Sequence, residues 1–160
     1  MKLKNLGIIQ ACLLAIIIVS SVAKADDMDD VLSLLDSYIE TESDLMAQNA
    51  LMSEDRIFII GAPAVRMTDN KTNMMRQMHV NNRSEEMDPN SIYYASREDQ
   101  IVRVYGDAAV ASFRRSLNFL PSAEGMRNGM TNNTTRQLVT VVMAKVNGDW
   151  KIVHTHISPA

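Results

Sequence analysis

The chain has 160 residues, with 16 basic and 19 acidic side chains and a formal net charge of −3. This length suits one domain with a moderate core. Phosphate contacts need clustered lysine and arginine, so the acidic balance excludes a nucleic-acid surface as the expected function. The single cysteine, Cys12, offers no intramolecular disulfide. The fold must therefore depend on its hydrophobic core, either alone or with a partner chain.

Residues 1–25 are predicted to be an export signal. Lys2 and Lys4 precede an apolar run over 6–19, and Ala23-Lys24-Ala25 has the A-x-A pattern of a cleavage site. The apolar run is too short for a membrane span. Cleavage would remove three of the 16 basic residues and leave one domain over 26–160 with a charge of 13 − 19 = −6. We expect export to a bacterial periplasm, or secretion, with no membrane attachment after cleavage.

The first part of the predicted domain is helical. Apolar residues recur at helical spacing over 28–41, after an acidic segment that suits the positive end of a helix dipole. A short helix is expected over 43–51. A third helix is expected from a cap at Thr68 or Asp69 to about Asn82, and 81–89 is predicted to be a loop. The methionines expected on the inner side of the third helix are Met74, Met75 and Met78.

The remaining segments predict strands. The predicted strands are 57–60, 92–94, 100–105, 108–120, 134–146 and 149–158. Residues 53–55 are expected to separate the second helix from the first strand. Gly106-Asp107 and Asn147-Gly148 are hairpin-turn signals, whereas 121–133 is expected to be an exposed connection. Helices followed by an antiparallel meander indicate an α+β domain with helices on one face of a curved sheet.

A two-residue turn at Gly106-Asp107 pairs Tyr105 with Ala108 and fixes the register of the hairpin. The residues that then share the core face are Val102, Val104, Ala109, Ala111, Phe113, Arg115, Leu117 and Phe119. Arg115 is the only charged residue among them. Since a buried unpaired charge is costly, this side chain needs a partner. Two kinds of partner remain open. One is an internal carboxylate, either Asp55 or Glu42, and the other is the anionic group of a ligand.

The last two strands are apolar on both faces, which predicts cover on both sides. In the final strand, alternation places Trp150, Ile152, His154 and His156 on one face and Val153, Thr155 and Ile157 on the other.

The C-terminal part resembles the nuclear transport factor 2-like superfamily. Gly106-Asp107 before an alanine-rich strand, and the segment 147–158 (NGDWKIVHTHIS), are similar to SnoaL-like domains and to the association domain of calcium/calmodulin-dependent protein kinase II. The resemblance implies a cystatin-like fold: a cone-shaped barrel of a strongly bent antiparallel sheet packed on N-terminal helices, with a pocket at the open end. It also implies homodimers through the outer face of the sheet, with Val142, His154 and His156 in the interface.

The resemblance also suggests which residues form the pocket. Of three arginine positions in the association domain, only Arg115 is kept, because the other two hold Val141 and Ile157. The predicted ligand-pocket residues are Arg115, Tyr38, Tyr93, Gln137 and Thr155. Related isomerases need an inward Asp or His base with an acid opposite. The strands offer neither, so Asp55, at the mouth of the first strand, is the one weak catalytic candidate.

Histidine and methionine patterns do not predict a metal site. His154 and His156 share a strand face, but no third ligand of matching spacing is evident. Copper(I) prefers soft ligands of the kind that Met74, Met75, Met78 and His79 could offer. A methionine stripe at helical spacing is nevertheless more often part of the core or of a pocket wall. We therefore predict no metal and no cofactor.

Three functions remain open. The first is an exported homodimer that binds a small, partly apolar molecule, with or without an anionic group, and has no established catalysis. The second is an isomerase or cyclase of the ketosteroid-isomerase-like group that uses Asp55 or a pocket tyrosine. The third is an oligomerisation module. An open pocket with Arg115 unpaired would favour the first function, and a filled one with Arg115 bonded to an internal carboxylate would favour the third.

Overall fold

A computed structural model describes residues 26–61 and 65–160, except for the side chain of Ser84. The predicted export signal lies outside these residues. The elements are helix α1 (26–40), a 3-10 turn (Thr41–Ser43), α2 (Leu45–Ala50), β1 (Met52–Ile60), β2 (Val65–Met67), α3 (Asn70–Met87), β3 (Ile92–Tyr105), β4 (Ala108–Leu120), α4 (Ala123–Arg127), β5 (Asn133–Val146) and β6 (Asp149–Pro159). Within the described ranges, the helices are too short or too polar to cross a bilayer.

The six strands form one curved sheet in the order β2-β1-β6-β5-β4-β3. This confirms the α+β architecture with N-terminal helices packed on a bent sheet. The sheet is not closed into a barrel, since β2 and β3 are its edges. It is also not wholly antiparallel, because β1 pairs with β6 in parallel.

Helix α1 contributes one face to the core, as its apolar spacing predicts. The predicted inner residues are all buried: Val31, Leu34, Leu35, Tyr38 and Ile39. They join one cluster with the inner residues of β4, β5 and β6. At the N-terminal end of α1, Asp27 accepts hydrogen bonds from Lys145 (2.5 Å) and from the indole nitrogen of Trp150 (3.2 Å). These contacts join the helix to the β5–β6 hairpin.

The two hairpin turns lie where the sequence predicts them. Tyr105 pairs with Ala108, so the core face of β4 is confirmed. At the second turn Asn147 and Gly148 both have positive φ, 55° and 94°, as a two-residue primed turn requires. The separation of 92–94 from 100–105 was wrong, because β3 is continuous. Its register shifts between Glu98 and Ile101, beside Asp99 with φ 55°.

Strand β6 changes its buried side part-way along. Ile152 pairs with Met143 and His154 pairs with Val142, so Val153 is one residue more than β5 provides there. Such a bulge reverses the alternation of the side chains. The buried residues are Trp150 and Ile152 before the bulge, and Thr155 and Ile157 after it. The prediction that Trp150, Ile152, His154 and His156 share one face was therefore wrong.

Three segments are more ordered than predicted. Residues 53–55 belong to β1, so they are not a break. Helix α3, which Asp69 caps through the amide of Thr72 (2.7 Å), continues to Met87 and includes most of the predicted loop 81–89. The connection 121–133 contains α4, and the buried Asp88 accepts the amide of Ser122 just before it (2.8 Å). Of the three predicted inner methionines, Met74 is buried and Met78 is half-buried, whereas Met75 is exposed and its assignment to the inner side was wrong.

Candidate functional site

A cavity of about 280 Å³, which we call the inner cavity, lies between the helices and the inner face of the sheet. Its lining comes from the 3-10 turn, from α1, α2 and α3, and from all six strands of the sheet. A groove of about 550 Å³ shares Val80, Asn81 and Tyr93 with it and is therefore adjacent. A depression of about 650 Å³ is lined partly by the methionines of α3. The inner cavity is the smallest of the three, but it alone of these reaches Arg115.

Arg115 is only 4% exposed and is bonded on every side of its guanidinium. Nη1 donates to Oε2 of Glu42 (2.9 Å) and to the hydroxyl of Tyr38 (3.3 Å). Nε and Nη2 donate to Oε1 of Gln137 at 3.0 and 2.7 Å. Burial lowers the pKa of Arg115, but Tyr38, Glu42 and Tyr93 raise it above its ordinary value. The group is therefore a permanent cation with its own counterion.

Glu42, the counterion, comes from the 3-10 turn at the end of α1. It is buried and also accepts from Nε2 of Gln48 (3.0 Å). Gln48 in turn donates to the carbonyl oxygen of Tyr38 (3.1 Å). The C-terminal end of α1 and helix α2 thus hold the carboxylate in a defined orientation. Of the two predicted internal partners of Arg115, the structure selects Glu42 and not Asp55.

Tyr93, on β3, lies on the wall shared with the groove. Burial, with a smaller contribution from the charge of Glu42, raises the pKa of its phenol to about 12, while Arg115 opposes the shift. The pKa of this phenol in the folded state exceeds its ordinary value of 10.0. Its contribution to the free energy of unfolding is therefore fully present below pH 10 and is lost as the pH rises from 10 to about 12. At neutral pH Tyr93 is a hydrogen-bond donor and not a base.

The structure brings four predicted pocket residues to the inner cavity: Tyr38, Tyr93, Arg115 and Gln137. Thr155, the fifth, is fully buried but does not line the cavity, because its hydroxyl accepts from Arg56 (3.0 Å). The structure does not bring Asp55 there either. Its side chain is exposed and accepts from the hydroxyl of Ser53.

Arg56 is a buried arginine that the sequence reasoning missed. It is 1% exposed and its guanidinium lies 4.9 Å from the centre of the Phe58 ring. Because 53–55 was interpreted as a break, the predicted strand began only at residue 57, and Arg56 was not assigned to a face. Extending the period-two pattern back from Phe58 would have placed Arg56 on the inner face.

Across the described ranges, no three His, Cys, Asp or Glu side chains come together as a metal site would require. His154 and His156 lie on the outer face of the sheet, and His79 is exposed on α3.

A family model for the SnoaL-like domain matches residues 31–160. The chain belongs to the SnoaL-like domain family. No curated protein sequence matches it significantly.

Solved structures similar to this SnoaL-like domain share its fold at low sequence identity. A nuclear transport factor 2-like protein with a cystatin-like fold from Novosphingobium aromaticivorans has a TM-score of 0.69 at 14% identity, covering 89% of this chain and 87% of that one. A superfamily member from Salmonella enterica gives 0.65 at 19%, covering 85% and 92%. The association domain of the Caenorhabditis elegans calcium/calmodulin-dependent kinase gives 0.57 at 19%, covering 86% and 96%.

The outer face of the SnoaL-like sheet carries a row of partly exposed side chains. Ile57 of β1 lies beside His154, which pairs with Val142, which pairs with Val110. Ile57 and Val110 are 41% and 38% exposed. Burial lowers the pKa of His154, and the charges of His156 and Arg56 lower it further. The neutral ring therefore extends the apolar row across four strands.

Proposed function

We propose that this SnoaL-like domain binds a small, partly apolar molecule in the inner cavity. The observation that supports this is a cavity of about 280 Å³ whose polar wall is already ordered. Tyr38, Glu42, Arg115 and Gln137 form one hydrogen-bonded group, and the lining also includes apolar side chains such as Phe58, Met67 and Leu117. Preformed, mostly apolar cavities with a few fixed polar groups are typical of small-molecule sites, and those have volumes of roughly 300–1,000 Å³. The site therefore suits a ligand at the lower end of that size range.

Arg115 has a different role from the one that the sequence suggested. Its charge is balanced by Glu42, so it provides oriented hydrogen-bonding groups and not a free positive charge. The pairing with a carboxylate was expected to accompany a filled core. Here the cavity is open, as expected for binding, but Arg115 is paired, as expected for a structural role. The open cavity is the observation that supports binding.

The test is a screen of small apolar fragments by ¹H–¹⁵N chemical-shift mapping. We expect shifts to cluster on cavity residues such as Tyr93 and Gln137. Leu117 lines the cavity, so Leu117→Trp should fill it and abolish these shifts. The matched control is Leu138→Trp, because Leu138 is 46% exposed on the outer face. Shifts that persist in Leu117→Trp, or that map only to the outer face, would contradict the proposal.

We also propose that two copies associate through the outer face, with Val142, His154 and His156 in the interface. The row from Ile57 to Val110 supports this, since it is apolar and partly exposed in the single chain. A similar structure is described as an association domain. The occupant that we expect is a second copy of this chain, exported by the signal at 1–25. Mass spectrometry of the periplasmic protein should then find Asp26 as its first residue.

Val142→Asp should convert this dimer into a monomer, because the substitution would place a carboxylate in the middle of the apolar row. Light scattering measures the mass, and circular dichroism shows whether the monomer is folded. Met75→Asp is the matched control, since Met75 is 63% exposed on α3, away from the sheet. An unchanged dimer for Val142→Asp would exclude this face as the interface.

A further inference from the structure

Two buried nitrogen atoms without hydrogen-bond partners lie in the wall of the inner cavity and directly behind it. They are Nε of Arg56 and Nδ2 of Asn73. One other buried nitrogen among the described residues lacks a partner, Nη1 of Arg97, and that side chain is already paired with Asp36 (2.6 Å). Buried donors in native proteins are nearly always satisfied, so an unpaired set at a cavity needs an explanation.

Asn73 belongs to the cavity wall. It is fully buried, and its Oδ1 accepts from Nε2 of Gln77 (3.0 Å), which fixes the amide. Asn73 and Gln77 both line the inner cavity. The free Nδ2 is therefore a donor held in a defined orientation at the cavity.

Arg56 lies behind the same part of the wall. Its Nη1 donates to Oδ1 of Asn70 (3.4 Å), three residues before Asn73 and hence on the same face of α3. Its guanidinium lies over the ring of Phe58, which lines the cavity. Arg56 thus places a positive charge beside α3, one helical turn before Asn73.

Arg56 forms no salt bridge among the described residues, although the charge of Glu42 acts on it at longer range. The ion pairs of this part of the chain involve Arg97, Arg114, Arg115 and Lys145. Glu42, the one carboxylate that lines the inner cavity, is bonded to Arg115. A buried charge normally requires a partner of opposite sign, so the Arg56 end of the cavity is electrostatically incomplete.

We propose that the ligand of the inner cavity is a small carboxylic acid whose carboxylate accepts from Asn73 and neutralises Arg56. This inference rests on the proposed ligand-binding function and adds the chemical class of the ligand. The apolar body of the acid would lie along Met67, Leu117 and Ile157, which line the same cavity. The positive charge that selects the acid comes from Arg56, and Arg115 remains paired with Glu42.

Matched acids and amides test the proposal, because each pair differs in charge and hardly in shape. The probes are isobutyrate, benzoate and 3-phenylpropionate with their primary amides, titrated at pH 7 by NMR. We expect at least one acid to bind about tenfold or more tightly than its amide, the effect of a hydrogen bond to a charged group. Arg56→Gln should reduce the preference to less than about threefold while amide affinity stays the same. Asn73→Ala should weaken acid binding as well.

The control for the loss of one positive charge is Arg66→Gln, since Arg66 is exposed on β2 and lies outside the cavity. It should keep the preference. Arg76 is the alternative source of positive charge, because it lines the cavity and forms no salt bridge among the described residues. Loss of the preference in Arg76→Gln but not in Arg56→Gln would overturn the assignment to Arg56.

The outcomes separate the two proposals. Equal affinity for acids and amides would overturn the carboxylate inference and leave the binding function in place. Absence of binding by every acid and amide in the wild-type protein would overturn both. Should Arg56→Gln fail to fold, thermal unfolding of the wild-type protein still tests the preference for the acid, and Asn73→Ala tests its location. The best acid should raise the Tm of the wild-type protein and the matching amide should not, and equal shifts would contradict the inference.

Discussion

Replacing Glu42 with alanine should lower the free energy of unfolding by about 3–5 kcal/mol, because it leaves the charge of Arg115 buried without its carboxylate. Both side chains are less than one tenth exposed, so solvent cannot replace the missing partner. The measurement is urea unfolding monitored by circular dichroism. Trp150 fluorescence, from the only tryptophan, provides a second probe.

Two variants show whether the loss comes from the ion pair. Glu40→Ala removes an exposed carboxylate two residues earlier and should change stability by less than about 0.5 kcal/mol. The double variant Glu42→Ala with Arg115→Met removes both charges and should recover much of the stability. Glu42→Ala and Arg115→Met are also measured singly. If the loss of stability in the double variant equals the sum of these two single losses, the two charges are not coupled.

Trp150→Ala should lower the free energy of unfolding by about 3 kcal/mol or more. Trp150 is 9% exposed in the main core cluster, its indole nitrogen donates to Asp27, and the ammonium of Lys145 lies 5.4 Å from its ring centre. The substitution thus removes a large core side chain and one contact between α1 and the β5–β6 hairpin. Circular dichroism is the required probe, since the variant has no tryptophan.

Trp150→Phe is the matched control for this second variant. It keeps an aromatic ring in the core and removes the bond to Asp27, so it should cost less than the alanine variant, on the order of 1–2 kcal/mol. If Trp150→Ala lowers the free energy of unfolding by less than about 1 kcal/mol, the loss is no larger than that of a surface substitution. That result would contradict the packing of Trp150 in the core.

Local periodicity predicted much of the domain. The spacing of apolar residues placed the inner face of α1, and two turn signals fixed the hairpins at Gly106 and Gly148. The register of the first hairpin then identified Arg115 as the single charge on the core face of β4. These features depend on residues close in sequence, where helix and strand periods determine which side chains share a face.

Features that depend on contacts between distant segments could not be predicted in this way. The partner of Arg115 lies 73 residues earlier in the chain, and Thr155 is 99 residues from Arg56. The bulge in β6 reverses the side-chain alternation without any glycine or proline signal at Val153. Strand order and bulges depend on how the sheet packs on the helices, and that packing involves the whole chain.

The sequence by itself determined the helices-first order of the domain, the meander and the position of the buried arginine on β4, because each follows from a local repeat. Only the tertiary structure decided which buried charges have counterions. Arg115 is neutralised by Glu42, and Arg56 is not paired with an acid among the described residues. The physical reason is that a salt bridge needs atoms within about 4 Å, and the chain path sets that distance between remote residues.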